Sequence, residues 1–311
     1  MAAQVGAHEL LKAILQGAAP SRPLFLPIVF SHAARIENLP FRAFLTNPTK
    51  ITQALRQMRG YSRSDGLICY FDPHLEIEAL GAEVDAGALE NLASKGRIPV
   101  ALEVIRRLKS MVRDDVLLAA GVSGPFRLAA QLAQAGHNAP AAEEVPADAL
   151  ELAAEATAAV AKAFVEAGAN VVIISEDSPA SFSGDATVAS LLATTTNIVR
   201  FYQALPVLVL NSPAQPTKTG SQAPLDCVVC PVASGVQRGV EEMFPEHVPG
   251  TLGVAVPSSV ISEGQPGVEK FTQEFRRANA GFQPVVITTS GDVPDSADLK
   301  NLNRLRDLLT A

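Results

Sequence analysis

Asp65-Gly-Leu-Ile-Cys-Tyr-Phe-Asp72-Pro-His-Leu-Glu76-Ile-Glu-Ala-Leu-Gly-Ala-Glu-Val84 is the stretch whose reading decides the architecture. Leu67 to Phe71 form a short apolar and aromatic run that ends on an acid. Behind it Leu75, Ala79 and Leu80 fall at helical spacing, and Gly81 stops the helix. A buried strand that hands over directly to a helix is the unit of an α/β fold. In a barrel built from such units, the chemistry sits at the carboxyl ends of the strands. Asp72, His74 and Glu76 then form a cluster of titratable groups at a site-forming position. The same residues have a plainer reading, in which Asp72 caps the following helix and Pro73 takes its first position.

Working outward, the pattern repeats along the chain. Apolar runs predict strands at 24–29, 66–70, 116–121, 171–175, 206–210, 227–230, 252–256 and 285–288. Helical periodicity predicts helices at 50–59, 100–111, 125–134, 147–167, 186–203, 236–243, 266–278 and 299–309. The strands are rich in Val, Ile and Leu with few polar interruptions, as parallel strands buried on both faces require. Eight such units in 311 residues give the count of a (β/α)8 TIM barrel, read as a single α/β domain spanning 1–311 with an amphipathic N-terminal helix (Leu10, Leu11, Ile14, Leu15). No Gly-x-Gly-x-x-Gly follows the first strand, which argues against a doubly wound sheet. Stretches 136–146, 211–224 and 257–266 carry turn chemistry and read as long loops at strand ends, where loops cover sites.

Composition narrows the function. The chain is 48% hydrophobic and 18% charged, has no Trp, and carries a net charge of −7 with no Lys/Arg run. Nucleic acid and anionic membrane surfaces are therefore not expected partners, and a small-molecule substrate is. An anionic substrate would need a local positive pocket working against the overall field. The three cysteines, Cys69, Cys227 and Cys230, lie in apolar runs and read as buried free thiols of a reducing, cytoplasmic compartment. The N-terminus lacks the basic and apolar regions of a secretory signal, and no apolar run approaches the ~18 residues needed to span a bilayer.

The strand assignments place a polar rim at the barrel mouth. Ser31, His32 and Arg35 follow the first strand, Asp72, His74 and Glu76 the second, and Ser123 and Arg127 the third. Glu176, Asp177 and Ser178 follow the fourth, Asn211 and Ser212 the fifth, Cys230 the sixth, Ser258 the seventh, and Ser290 and Asp292 the last. Titratable groups placed together shift one another's pKa, which is what an active site needs. Singly the signals are weaker. His32 is an ordinary loop histidine unless a partner activates it, and Glu176 with Asp177 would also serve as a helix cap. Cys227-Val-Val-Cys230 lies on a strand, where positions i and i+3 point to opposite faces. At most Cys230 reaches the site, as a weak metal-ligand candidate.

Segments 66–72, 78–84, 121–126 (Gly-Val-Ser-Gly-Pro-Phe) and 166–170 (Glu-Ala-Gly-Ala-Asn), with the late Gly291-Asp-Val-Pro…Asn301 pattern, resemble the uroporphyrinogen decarboxylase superfamily. That superfamily also holds methylcobalamin:coenzyme M methyltransferases and corrinoid-linked demethylases. The resemblance runs from about residue 23 to the C-terminus and implies the same (β/α)8 barrel with its site at the strands' carboxyl ends. Within the decarboxylase branch, Ser31-His-Ala-Ala-Arg35 keeps only Arg35 of an Arg-Gln-Ala-Gly-Arg signature whose arginines hold the carboxylates of the porphyrinogen. Asp72 matches the catalytic aspartate and Ser178 resembles a family serine. The family tyrosine falls near Gln131, and the late histidine is lost near Ser290. The methyltransferase branch is matched by 76–83 and 96–109. Its zinc is held by His-x-Cys after the fifth strand and a cysteine after the eighth, where this chain has Leu210-Asn-Ser212 and Ser290-Gly291. The family zinc site is thus expected to be lost, or moved toward His32, Asp72, His74 and Cys230.

The resemblance leads to three expectations. The first is methyl transfer or demethylation of a small or aromatic substrate, with a corrinoid (methylcobalamin) on a partner protein. Asp72, His74 or His32 would serve as acid or base. Arg35, Glu76, Ser123, Arg127, Glu176, Ser178, Asn211 and Ser290 would line the substrate site. The second is cofactor-free decarboxylation of uroporphyrinogen or a related acid, with Asp72 stabilising the developing charge. The third is a non-catalytic binding barrel. Members of the superfamily are often dimers, which makes a homodimer an expectation as well.

Overall fold

The computed structural model describes residues 5–81, 87, 89–112, 116–135, 147–176, 187–211, 227–230, 232 and 252–310. Eight parallel strands are present among these described residues: β1 (Leu24–Leu26), β2 (Gly66–Tyr70), β3 (Leu117–Ser123), β4 (Val171–Glu176), β5 (Leu205–Leu210), β6 (Val228–Cys230), β7 (Val254–Val256) and β8 (Val286–Thr289). They pair as β2-β3-β4-β5-β6 and as β1-β8-β7. The two sheets meet at both edges. The Asp65 amide donates to the Phe25 carbonyl at 2.9 Å, and the Gly253 amide to the Val229 carbonyl at 2.8 Å. The strands thus follow one another in the ring order of a (β/α)8 barrel, and every strand residue is buried, as parallel strands covered on both faces must be.

The helices are α1 (Ala7–Leu15), α2 (Phe30–Ile36), α3 (Phe41–Phe44), α4 (Pro48–Met58), α5 (Leu75–Leu80), α6 (Ile98–Met111), α7 (Pro125–Ala135), α8 (Ala147–Ala167), α9 (Thr187–Phe201), α10 (Ser258–Ser262), α11 (Gly264–Ala278) and α12 (Leu299–Thr310). Local chemistry explains their ends. Asn47 accepts from the Lys50 amide at 3.1 Å with Pro48 at the first helical position of α4, a regular N-cap. Alanine along α8 lets it lie close on the sheet, burying Ala153, Ala156, Ala161 and Phe164. None of the described helices is long and apolar enough to cross a membrane.

Several expectations are corrected. The first strand ends at Leu26 because Pro27 has no amide to donate and the Ile28 amide bonds the Thr289 hydroxyl at 3.0 Å instead of a ladder partner. Helix α2 begins four residues later, its Phe30 ring packed 5.3 Å from Tyr70 and 5.7 Å from Phe44. Stretch 257–266 is not a loop. It holds α10 and the start of α11, joined at Gly264 with φ +78°, a left-handed position that suits glycine. Helix α5 starts at Leu75 with His74 as its capping position, so Asp72 is not the cap and Pro73 is not in the helix. The predicted loop 136–146, the predicted helix 236–243 and most of the predicted loop 211–224 lie outside the described residues.

Candidate active site

A cavity of about 330 Å3 opens over the carboxyl ends of the strands. Phe71 and Pro73 follow β2, Ser175 is in β4, Asn211 follows β5, and Ser290 to Asp292 follow β8. Phe41 of α3 and Arg127 of α7 complete the wall. Each polar group is placed by the strand or helix end that carries it.

The end of β4 builds one side. Glu176 is fully buried, and its carboxylate accepts from the Phe126 amide at 3.1 Å and the Arg127 amide at 2.7 Å, satisfying amides of the first turn of α7. Gly124 precedes that turn because any Cβ there would sit 2.6 Å from the Glu176 carboxyl carbon. With its backbone held this way, Arg127 donates from Nη1 to the Ser175 hydroxyl at 2.9 Å, and the Asn211 amide group donates to the same oxygen at 2.9 Å. The result is a guanidinium and a carboxamide joined through one hydroxyl at the cavity wall.

The β2 side holds the acids that the sequence placed first. The Asp72 carboxylate is buried. Its Oδ1 accepts from the His74 amide at 3.0 Å, and its Oδ2 takes a close contact from Arg97 Nη1. Arg97 also donates from Nε to Glu78 at 2.6 Å and from Nη1 to the Tyr70 hydroxyl at 3.4 Å. Both oxygens of Asp72 are therefore engaged. His74 is mostly exposed, its Nδ1 3.5 Å from Asp72 Oδ1. Glu76 is fully buried, with Ser123 donating to it from its amide at 3.1 Å and from its hydroxyl at 3.0 Å. Burial pushes the Glu76 carboxyl up to about 7, while the Ser123 bonds pull the other way and the Asp72 charge adds to the rise. Thr157 and Gln131 brace this corner, the first 2.9 Å from the Ser123 carbonyl oxygen and the second donating to the Pro73 carbonyl at 3.1 Å.

On the β8 side, Asp292 accepts at Oδ2 from the Ser31 amide at 2.8 Å, in the first turn of α2. Its buried Oδ1 has no hydrogen-bond partner among the described residues. Burial pushes the Asp292 carboxyl up to about 7, against the pull of the Ser31 and Phe30 groups and with a smaller upward push from Asp295.

The structure divides the residues expected to converge. Arg127, Asn211 and Ser290 line the cavity with Asp292, and Asp72 and Ser123 sit beside it with Pro73 and Arg127. Glu76 and Glu176 lie beneath as buried supports. His32 and Arg35 turn elsewhere, because one helical turn of α2 carries them onto its other side. The buried His32 ring has Nε2 3.0 Å from the Ala297 carbonyl oxygen, and Arg35 donates to the Asp295 carbonyl at 2.6 Å. Both line a separate groove of about 720 Å3 that also takes in Tyr61 and Lys300. Ser178 lies outside the described residues. Sequence reasoning did not anticipate Ser175, Arg97 or Phe41, and it gave Asp292 a place on the rim without a role.

A relocated zinc site does not fit the described residues. No group of three or more His, Cys, Asp or Glu side chains among them could hold a metal. Cys230 is fully buried against the backbone of Gly253, and burial pushes its thiol upward, away from the thiolate that zinc requires.

Residues 7–210 match the family model described as uroporphyrinogen decarboxylase (URO-D). Among solved structures, a methyltransferase from Methanosarcina mazei is similar over 98% of both chains, with a TM-score of 0.72 and 18% identity. A dihydrodipicolinate synthase from Oceanobacillus iheyensis is similar over 76% of this chain and 65% of its own, with a TM-score of 0.37 and 13% identity. No curated protein matches the chain.

Proposed function

From the premise that the chain belongs to the uroporphyrinogen decarboxylase (URO-D) family, we propose that it is an enzyme of one-carbon chemistry. It transfers a methyl group to or from a small aromatic carboxylate bound in the mouth cavity. The observation that carries this reading is the single guanidinium among the described residues of that cavity. Arg127 is the one cation in its described lining. One guanidinium bridged to Ser175 and Asn211 suits one carboxylate, because its planar fork matches that group. The eight carboxylates of uroporphyrinogen would need several such cations. Phe41, Phe71 and Pro73 give the rest of the wall an apolar character that accepts an aromatic ring in edge-on or offset contact, and about 330 Å3 is at the small end of ligand cavities.

A corrinoid carried on a partner protein would supply the nucleophilic metal that accepts the methyl group. Held elsewhere, it needs no ligand from this chain, only access to the mouth, and Phe41 on that rim is exposed. This chain's own residues bind the carboxylate, exclude water from the ring and move a proton at the leaving group. The test is the affinity of 4-methoxybenzoate, measured by calorimetry on the wild type and on Arg127→Met, which keeps the aliphatic stem. Loss of a charge-assisted contact of about 2 kcal/mol predicts roughly thirtyfold weaker binding. Equal affinity in a variant with an unchanged circular dichroism spectrum would overturn the anchor.

A further inference from the structure

Two depressions at the mouth share one side chain. Phe41 lines the cavity of about 330 Å3 that holds Arg127, and it also lines a neighbouring pocket of about 410 Å3 with Ser31, Arg35 and Asp295. We propose that Phe41 is the specificity-determining residue of the site. It limits the substrate to one aromatic ring and shuts longer acids out of the pocket beyond, where Arg35 forms a second carboxylate subsite.

The partition is built from both sides. Phe41 opens α3 directly after Pro40, and its ring stands edge-on to the fully buried Phe30 with centroids 6.1 Å apart. Phe30 is packed in turn on Tyr70 and Phe44, so the partition leans on the core. The Ser31 amide donates to Asp292 at 2.8 Å, and the two residues line different depressions, Ser31 the pocket and Asp292 the cavity. That contact therefore closes a second part of the same divide.

Topology sets the direction in which a ligand runs. Ser175 and Asn211, which hold the Arg127 side of the cavity, belong to β4 and to the end of β5. The neighbouring pocket is made by α2 and α3, which follow β1, and by the loop after β8, on the opposite side of the ring. An acid whose carboxylate rests on Arg127 extends toward that side, and a second ring in line with the first meets Phe41. The pocket behind has the chemistry of a second acid site. Arg35 donates from Nη1 to the Asp295 carbonyl at 2.6 Å, and its other guanidinium nitrogens have no partner among the described residues. A planar guanidinium with donors to spare suits a carboxylate, and Leu39, Pro40 and Phe41 give an apolar wall for a ring.

This inference rests on the carboxylate reading above, and the experiment separates the two. Calorimetry compares 4-methoxybenzoate, 4′-methoxybiphenyl-4-carboxylate and biphenyl-4,4′-dicarboxylate. The proteins are the wild type, Phe41→Ala, Phe41→Leu and the double variant Phe41→Ala with Arg35→Met, each with its circular dichroism spectrum. In the wild type the single-ring acid should bind roughly tenfold or more tightly than either biphenyl. Phe41→Ala should weaken the single-ring acid roughly two- to tenfold, as loss of an aromatic wall contact does, and tighten both biphenyls roughly tenfold as their second ring is buried. Leucine should shift each affinity the same way by less. Adding Arg35→Met should remove most of the dicarboxylate's gain and leave that of the methoxybiphenyl acid. Biphenyls that bind the wild type as tightly as the single-ring acid would overturn the role of Phe41 and leave the Arg127 anchor intact. So would an unchanged preference in folded Phe41→Ala and Phe41→Leu. A dicarboxylate gain that survives Arg35→Met would overturn the second subsite. Failure of all three ligands to bind the wild type would overturn the carboxylate reading and the inference with it.

Discussion

Asp65→Ala is expected to destabilise the protein by about 3–5 kcal/mol, the range for removing one partner of a buried ion pair. Asp65 accepts from Arg22 Nη1 at 2.7 Å and Nη2 at 2.8 Å, and from the Phe25 amide at 2.8 Å. Its own amide donates to the Phe25 carbonyl, which is the seam between β1 and β2. Alanine keeps that backbone bond but leaves the largely buried Arg22 guanidinium without its carboxylate, and the Phe25 amide loses its acceptor. Equilibrium urea unfolding measures the change from the shift in midpoint at constant slope. A loss below about 1 kcal/mol would mean that water replaces Asp65 without cost, which would contradict its role in closing the seam.

Glu176→Ala carries the second large effect and reaches from stability to function. Two partly buried amides of α7 would lose their acceptor, at about 1–3 kcal/mol each, so a total near 3 kcal/mol is expected. The same amides fix the backbone of Arg127, and the side chain that should hold the substrate carboxylate would lose its support. Unfolding and 4-methoxybenzoate affinity should therefore fall together in this variant. Glu176→Gln keeps one carbonyl acceptor and should lie between alanine and wild type in both. If Glu176→Ala lost stability but bound the ligand as tightly as wild type, Arg127 would be positioned by other means.

How far the sequence can be read depends on whether the determinants are local. The helix at 147–167 and the strand at 66–70 agree with the structure to the residue, since an unbroken alanine-rich period and an apolar run ending in Asp72-Pro73 mark their own ends. The apolar run 24–29 overstates the first strand, because Pro27 lies within it and hydropathy does not register a missing amide. Helix α2 has no local signature in the sequence because its support is distant, with Phe30 set by Tyr70 and Phe44 and its first turn held by Asp292, 261 residues from Ser31. This also explains why His32 and Arg35 were expected at the mouth, since a loop would have left them there and a helix carries them round to another groove. Asp72 and Asp292 both stood on the predicted rim. What distinguishes them is Arg97, 25 residues from Asp72 along the chain, which engages one acid while the other keeps an oxygen unpaired. Spacing in sequence carries no trace of that difference.

The central claim is that the mouth cavity performs methyl transfer on a small carboxylate and does not decarboxylate a porphyrinogen. It is tested most directly by supplying the protein with both chemistries. One sample receives 4-methoxybenzoate carrying a 13C-labelled methyl group together with chemically reduced free cobalamin, and a second receives uroporphyrinogen. The account predicts 4-hydroxybenzoate and 13C-methylcobalamin in the first sample, both lost in Arg127→Met, and an unchanged octacarboxylate in the second. Release of carbon dioxide with formation of less carboxylated, fluorescent porphyrins in the second sample, and no methyl transfer in the first, would contradict it.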